Sequence, residues 1–258
     1  MNPAVRYVRQ GAIGEIILDR PDNRNSMTPE LLDAFAEASR AARDDDPRCI
    51  VVRGEGRCFS AGADFNATLQ REGGALPHER SYAMYEPFLS LWDIRVPVIG
   101  ALNGHAVGGG FGLALMCDVR IANREAKYGA NFARLGLSSG MAISYLLPRL
   151  IGASKAAELL FTGRLILGDE AEAIGLCSAA VGPDEVVERA RELARSIADS
   201  APLAVRAVKQ TLREGLGWDP RGAARREAAL QAQTLETEDA AEGIAALLEK
   251  RKPVFRGE

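Results

Sequence analysis

Two glycine-rich junctions, each between an apolar segment and a helix-like segment, are the places where this backbone could most easily do chemistry. The first is Ala61-Gly62-Ala63-Asp64, and the second, about 46 residues later, is Gly108-Gly109-Gly110. Glycine brings the backbone close to a ligand because no side chain intervenes. A helix that starts at such a point adds unpaired N–H groups and the positive end of its dipole. Each junction suits a negatively charged oxygen, and a tight packed turn explains the glycines equally well.

The elements around the junctions predict alternating strands and helices. Short β-like segments at 5–8 and 15–19 predict a hairpin, and apolar runs at 49–53 and 96–102 predict buried strands that lead into the junctions. Thr28-Pro29 predicts the start of a helix, and Asp64, Ser154 and Asp169 are candidate caps of later helices. The stretch 70–80, which is low in apolar residues, predicts a loop, and 119–122 predicts a further strand. After Pro183 the pattern predicts only helices, at 184–198, 203–214, 221–235 and 240–250. We therefore expect an α/β fold with a core over residues 1–200 and a helical region over residues 201–258.

Composition excludes several classes of protein. The 258 residues carry a formal net charge of -3, which argues against nucleic acid as a partner. We expect no membrane association, because no apolar run reaches the roughly 18 residues of a span and the N-terminus lacks a signal-peptide core. The spacing of the cysteines does not suit a metal, so we expect reduced, buried thiols in a cytoplasmic protein without a metal site. These cysteines are Cys49, Cys58, Cys117 and Cys177.

Several familiar catalytic motifs fail on inspection. Gly136-Leu137-Ser138-Ser139-Gly140 matches a nucleophile elbow, but that fold needs a histidine downstream of the serine, and His78 and His105 both precede it. The glycines of the second junction do not complete a dinucleotide-binding fingerprint, because leucines stand at the third required position. For His105 a structural role is the simpler interpretation, and for His78 plain exposure.

One N–H from each junction, aimed at the same point, would form an oxyanion hole for the enolate of a thioester. At this point the chain resembles the crotonase superfamily, the enoyl-CoA hydratase/isomerase family, over nearly its whole length. The resemblance rests on the joint order of short motifs. They are Arg20-Pro21, Asn25-Ser26-Met27, Cys58 to Asp64, Pro97-Val98, Asn103 to Gly110, Cys117-Asp118, Ala126 to Gly129, Leu146 to Arg149, Ala171 to Leu176 and Glu249 to Phe255.

The resemblance implies a fold, a substrate and a site. The fold would be a spiral of ββα units with a helical C-terminal oligomerisation region, assembled as a homotrimer or a dimer of trimers. The substrate would be an acyl-CoA of fatty acid metabolism, with coenzyme A as part of the thioester and no tightly bound cofactor. The amides of Ala63 and Gly109 would be the oxyanion donors. The substrate-binding residues would be Arg24, Asn25, Ser26, Ala61, Gly62, Asp64, Gly108, Gly112, Phe132, Gly140, Lys252 and Phe255, with Lys252 and Phe255 reaching the CoA site of a neighbouring subunit.

The chain departs from the family pattern where protons are transferred. Hydratases that resemble it carry glutamates at the positions of Gly112 and Phe132, and related isomerases carry an acid at the position of Gly140. None of these three residues can exchange a proton. The other candidates, for each of which a surface or structural role is favoured, are Asp64, Glu72, His78, Glu79, Tyr82 and Tyr85. An acyl-CoA-binding protein without chemistry, or a trimeric scaffold with a vestigial pocket, remain alternatives to an enzyme.

Overall fold

The chain opens with an antiparallel hairpin, and every later strand of the same sheet runs parallel to its neighbour. In this computed structural model the described residues are 3–64, 77–214, 233 and 236–258. The hairpin strands pair Val5 with Leu18 and Gln10 with Ile13. The six strands, in spatial order, are β1 (Val5–Gln10), β2 (Ile13–Leu18), β3 (Cys49–Gly54), β5 (Val98–Leu102), β7 (Val119–Asn123) and β10 (Ala179–Val181).

Four short strands form a second sheet. Its spatial order is β4 (Cys58–Ser60), β6 (His105–Val107), β8 (Lys127–Gly129) and β9 (Ile166–Leu167). The chain passes from β3 to β4, from β5 to β6 and from β7 to β8, so each of these turns of the chain contributes one strand to each sheet. The two glycine junctions follow β4 and β6, and these strands are neighbours in the short sheet. This pairing brings together two junctions that are far apart in sequence.

Helices cover both sheets. They are α1 (Pro29–Asp45), α2 (Pro77–Leu89), α3 (Gly109–Met116), α4 (Ile143–Ile151), α5 (Ala153–Thr162), α6 (Gly168–Ala173), α7 (Val186–Ala198), α8 (Pro202–Glu214) and α9 (Glu238–Glu249). Thr28 caps α1, because its side chain accepts a hydrogen bond from the amide of Leu31 at 3.2 Å. Pro29 fits the first position of the helix because it has no N–H to satisfy there.

Two clusters of buried side chains pack on opposite faces of the long sheet. Ile50 and Val52 of β3 belong to the larger cluster, in which the rings of Phe35 and Phe88 meet edge to face with centroids 4.8 Å apart. Val51 belongs to the smaller cluster, where α7 contributes its buried residues. The alternation along β3 follows from the two-residue period of a strand that is covered on both faces.

Helix α3 is buried on every side, which its uniformly apolar sequence predicts. At the C-terminal end of α3, the buried guanidinium of Arg120 donates a hydrogen bond to the carbonyl oxygen of Cys117 at 2.6 Å. Asp118, which follows the helix, accepts a hydrogen bond from the amide of Val98 at 2.8 Å and pairs with Lys209 at 2.7 Å. The helix that carries the second junction is therefore held at its far end by charged groups, one of which lies on α8.

The predicted α/β class with a helical C-terminal region is confirmed, as are the hairpin, α1, β3, β5 and β7. The pattern missed β4, β6, β8, β9 and β10, because strands of two or three residues are too short to show a period. The loop predicted over 70–80 is wrong at its end, where α2 begins at Pro77. The predicted helix at 221–235 lies outside the described residues, apart from 233.

Two predicted helix caps are also wrong. Gly152, at φ +80, both ends α4 and precedes α5, so the cap predicted at Ser154 falls inside α5. Asp169 lies in the first turn of α6 rather than at its cap. Within the described residues, no helix is long and apolar enough to cross a bilayer, and no three metal-ligating side chains form a group.

Candidate active site

The first junction is shaped by Gly62, which has φ +83, a conformation that favours glycine. A Cβ at this position would lie 2.5 Å from the carbonyl oxygen of Val107 and 3.0 Å from the amide nitrogen of Gly109. Only glycine therefore allows the two junctions to approach this closely. The carbonyl of Gly62 accepts a hydrogen bond from the amide of Met27 at 2.8 Å, which attaches the junction to the loop before α1.

The second junction turns at Gly108, which has φ +57 and donates its amide hydrogen to the carbonyl of Gly129 at 3.0 Å. Helix α3 begins at the next residue, so the N–H groups of its first turn have no partner within the helix. Side chains at Gly109 and Gly110 are excluded, because a Cβ there would collide with the sulfur of Met27 and the carbonyl of Ser60, respectively.

The amides of Ala63 and Gly109 lie on backbone segments that the two junctions bring next to each other. Ala63 forms an isolated parallel bridge with Met27, and in this bridge Met27 makes the hydrogen bond to Gly62. The N–H of Ala63 therefore points away from Met27. Among the hydrogen bonds of the described residues, neither the Ala63 amide nor the Gly109 amide has a partner. Met27 belongs to a motif that carries the resemblance but has no role predicted from the sequence, although its backbone holds one junction and its side chain packs on the other.

Apolar side chains surround Gly112 and Phe132, the two positions at which the resemblance predicts glutamates in a hydratase. A Cβ at Gly112 would overlap the Cβ of Met141 and lie 3.1 Å from its Cγ. Met141 is 1% exposed and has φ +56, which is uncommon for a residue with a side chain. Phe132 is half-buried, and its ring lies 3.9 Å from the position of a Cβ at Gly108. Sequence reasoning missed Met141, which nothing in the local pattern distinguishes from a core residue.

The third position, Gly140, faces a tyrosine. A Cβ at Gly140 would lie 2.5 Å from the hydroxyl oxygen of Tyr85 and 2.8 Å from its Cζ. The ring of Tyr85, on α2, packs against the main hydrophobic cluster. The phenol thus fills the space into which an acidic side chain at position 140 would extend.

The loop before α1 supplies three of the predicted substrate-binding residues, and the structure separates their roles. Asn25 is fully buried, and its side-chain amide donates to the carbonyls of Cys58 at 2.9 Å and Glu55 at 3.1 Å. Ser26 is buried too, and its hydroxyl donates to the carbonyl of Asn23 at 2.7 Å. The hydrogen bonds of these two side chains hold the loop, and their predicted contact with substrate stays a prediction. Arg24 is the exposed residue of the three.

The other predicted residues of the first junction, Ala61, Ala63 and Asp64, are half-buried. Ala61 donates its amide hydrogen to the carbonyl of Arg24 at 3.0 Å, so the junction and the loop are joined a second time. The helix that Asp64 was predicted to cap falls outside the described residues.

Lys252 and Phe255 lie on the C-terminal tail and contact their own chain. The ammonium of Lys252, which is 72% exposed, pairs with Asp199 at 2.6 Å. The ring of Phe255 lies 3.4 Å from the position of a Cβ at Gly243 on α9, and its carbonyl accepts a hydrogen bond from Arg48. Their predicted contact with a neighbouring subunit stays a prediction.

Other candidate proton-transfer groups are less well placed. Tyr82 is 59% exposed, and a hydrogen bond to Glu86 raises the pKa of its phenol. Glu79 is exposed, the side chain of His78 is not among those described, and Glu72 lies outside the described residues. The Nδ1 atom of His105 accepts a hydrogen bond from the amide of Lys127 at 2.9 Å, and burial lowers the pKa of its ring, so the structural interpretation fits.

The cysteines are buried thiols that are poorly suited to nucleophilic chemistry. All four are buried and free of disulfides, as predicted. Burial raises the pKa of Cys49 and of Cys117 to about 12, and that of Cys177 to about 11. Since the thiolate is the reactive form, these groups are poor nucleophiles in the folded protein.

Comparison with known proteins places this arrangement in a family. The sequence model described as enoyl-CoA hydratase/isomerase matches residues 8–258. A Bacillus subtilis protein named "probable enoyl-CoA hydratase" is 37% identical over 239 residues, which are 91% of this chain and 92% of that protein.

Solved structures agree. The crystal structure of an enoyl-CoA hydratase from Bacillus anthracis superimposes with a TM-score of 0.93 at 31% identity, covering 99% of this chain and 100% of the other. An enoyl-CoA hydratase from Polaromonas sp. JS666 gives a TM-score of 0.91 at 28% identity, covering 98% and 99% of the two chains. The chain therefore belongs to the enoyl-CoA hydratase/isomerase family, has the crotonase fold and is an enzyme of the hydratase/isomerase type.

Proposed function

We propose that this enzyme processes an acyl-CoA by stabilising its thioester enolate between the amides of Ala63 and Gly109. The observation that carries the proposal is the close approach of the two junctions, with both amides left without a partner among the described residues. Preorganised N–H groups stabilise charge as it develops on oxygen, and they need no reorganisation during the reaction. The positive end of the α3 dipole adds to this effect at Gly109.

The reaction differs from simple hydration. Addition of water needs groups that take and return a proton, and Gly112 and Phe132 offer none. Met141 and Phe132 also place apolar surface where the carboxylates and their water would stand. The same two contacts favour the second candidate function, an acyl-CoA-binding protein that retains the amide pair and performs no chemistry.

Several further properties belong to the proposal. Arg24, exposed beside the first junction, supplies a charged contact to the CoA phosphates. Coenzyme A enters as part of the substrate, and no other cofactor is required. The free, buried cysteines are typical of a protein of the reducing cytoplasm.

We also propose that residues 201–258 form a helical region that mediates assembly into a homotrimer or a dimer of trimers, outside a core of residues 1–200. Exposed apolar side chains on α8 and α9 support this, since clusters of them are typical of subunit interfaces. These residues are Val208, Leu212, Ile244 and Leu248, which are between 56% and 77% exposed. Lys252 and Phe255 would approach a neighbouring CoA site after rearranging their present contacts.

Substitution of Ala63 tests the amide pair. Ala63→Pro deletes the N–H, and loss of one such donor costs about 3 kcal/mol, or roughly a hundredfold in kcat. Ala63→Ser is the matched control, because it changes the side chain and keeps the N–H. Turnover over a panel of acyl-CoAs should fall far more in the proline variant, while calorimetry shows that both variants still bind CoA thioester. Equal losses in two folded variants would locate the site elsewhere, and binding without turnover by the unmodified protein would favour the second candidate.

A further inference from the structure

Enolate chemistry requires a proton-transfer group, and Tyr85 is the ionisable side chain that the structure places against position 140. Its hydroxyl oxygen lies 2.5 Å from the site of a Cβ at Gly140. The next residue, Met141, covers Gly112. Gly112 is three residues, or about 5 Å along the helix, from the amide of Gly109. A continuous path of contacts therefore leads from the Tyr85 phenol to the first turn of α3.

The environment of Tyr85 suits a group that acts on a ligand. Its ring is anchored in the hydrophobic cluster, which fixes the direction of the hydroxyl. Among the hydrogen bonds of the described residues, this hydroxyl has no partner, whereas the hydroxyl of Tyr128 donates to the carbonyl of Asn123 at 2.9 Å. A phenol both donates and accepts hydrogen bonds, and tyrosine is an established general acid and base.

The hydroxyl of Tyr85 occupies the space that a side chain at position 140 would need. Any side chain at position 140 would displace the phenol, so an acid at 140 and the present position of Tyr85 are mutually exclusive. Position 140 therefore carries no acid, and the phenol of Tyr85 places a different proton-bearing group in the same space.

We infer that the hydroxyl of Tyr85 transfers the proton to and from the enolate carbon, an inference that rests on the proposed function. In the forward step the O–H bond of Tyr85 breaks and its proton bonds to the carbon, using the electron pair of the enolate C=C bond. An electron pair on the enolate oxygen restores the thioester carbonyl, and the phenolate takes a proton from water. In the reverse step the phenolate removes the proton, the electron pair of the C–H bond forms the C=C bond, and the electron pair of the carbonyl π bond passes to the oxygen held by the amides.

Exchange of the α-hydrogens of butyryl-CoA and octanoyl-CoA in D2O, followed by NMR, isolates this step without requiring a known product. The unmodified protein should catalyse the exchange. Tyr85→Phe should slow it by about 10²–10⁴-fold, the usual contribution of a general acid or base, while affinity measured by calorimetry stays within about twofold. Tyr82→Phe is the matched control, because it removes a phenol one turn earlier on the same helix and should leave the exchange rate unchanged.

A relocated acid provides the second arm. Tyr85→Ala should abolish exchange, and adding Gly140→Asp to it should restore at least a tenth of the original rate, because the carboxylate then enters the vacated space. Exchange that survives in Tyr85→Phe, or that Tyr82→Phe abolishes equally, would overturn the inference. So would a protein that binds both thioesters and exchanges neither. Failure to bind either thioester would instead overturn the proposed function.

Discussion

Position 112 offers a direct test of the proposal that side-chain packing at this site excludes the hydration of an enoyl-CoA. In an ordinary helix, Gly→Ala stabilises the fold by about 0.5–1 kcal/mol because glycine is a poor helix former. Here the added Cβ would overlap the Cβ of Met141, which is itself buried. Overpacking of a core costs about 1–3 kcal/mol, so we expect Gly112→Ala to destabilise the protein by about 1–2 kcal/mol. Gly112→Glu should cost more, since it also buries a carboxylate, which favours the neutral form.

Met141 should be the cause of the loss of stability in both Gly112→Ala and Gly112→Glu. At φ +56 it occupies a conformation that costs a side-chain-bearing residue about 1–2 kcal/mol relative to glycine. Met141→Gly therefore removes the obstructing Cβ and the backbone strain together, although it also leaves a cavity that costs about 2–5 kcal/mol. A side chain at 112 partly refills that cavity. We expect the two changes to be coupled, with the double variant Gly112→Glu/Met141→Gly more stable than the sum of the single changes by more than about 1 kcal/mol.

The unmodified protein, the two single variants and the double variant form a double-mutant cycle, and urea unfolding of these four proteins measures the coupling. Hydration of crotonyl-CoA measures whether the added carboxylate is active. The unmodified protein and Gly112→Glu should both be poor hydratases, and the double variant should gain activity because its carboxylate has room beside the amide pair. Additivity within about 0.5 kcal/mol would refute the packing explanation. A kcat/KM of the unmodified protein near 10⁷ M⁻¹s⁻¹, toward the upper end of the enzyme range, would refute the absence of a hydration apparatus.

Three further outcomes are expected. Glu15 is buried, which by itself raises its pKa, but hydrogen bonds from Arg191 and Arg53 outweigh this and hold the pKa below 4.5. Glu15→Gln should therefore lower the free energy of unfolding in urea at pH 7 by about 3 kcal/mol. This difference between the two proteins should narrow as the pH falls below 4.5 through the folded-state pKa, whereas a difference independent of pH would contradict the ion cluster. Arg24→Ala should weaken calorimetric binding of acetyl-CoA about fivefold at low salt and less at high salt, and equal effects at both would exclude a charge contact. Light scattering at micromolar concentration should show an assembly of three or six subunits, against which a species of 27.7 kDa alone would count.

The sequence by itself determined the longer elements and the family. Thr28-Pro29 specified the start of α1 through a side-chain cap and a residue without an N–H. The buried strands β3 and β5 followed from apolar runs that are long enough to show a pattern. Motif order over nearly the whole chain identified the family, and by that resemblance Gly112, Phe132 and Gly140 predicted which proton-transfer groups are absent. These are properties of local chemistry and of position along the chain, which a sequence states directly.

Only the tertiary structure decided what meets across the site. The pairing of β4 with β6 brings Gly62 against Gly109, and three-residue strands carry too little pattern to predict that pairing. The contact of Met141 with Gly112, and that of Tyr85 with Gly140, join segments from separate helices and loops. Such contacts depend on side-chain packing between elements distant in sequence, so a single sequence ranks Tyr85 no higher than Tyr82. The fold distinguishes them because it places one hydroxyl at Gly140 and leaves the other largely exposed to solvent.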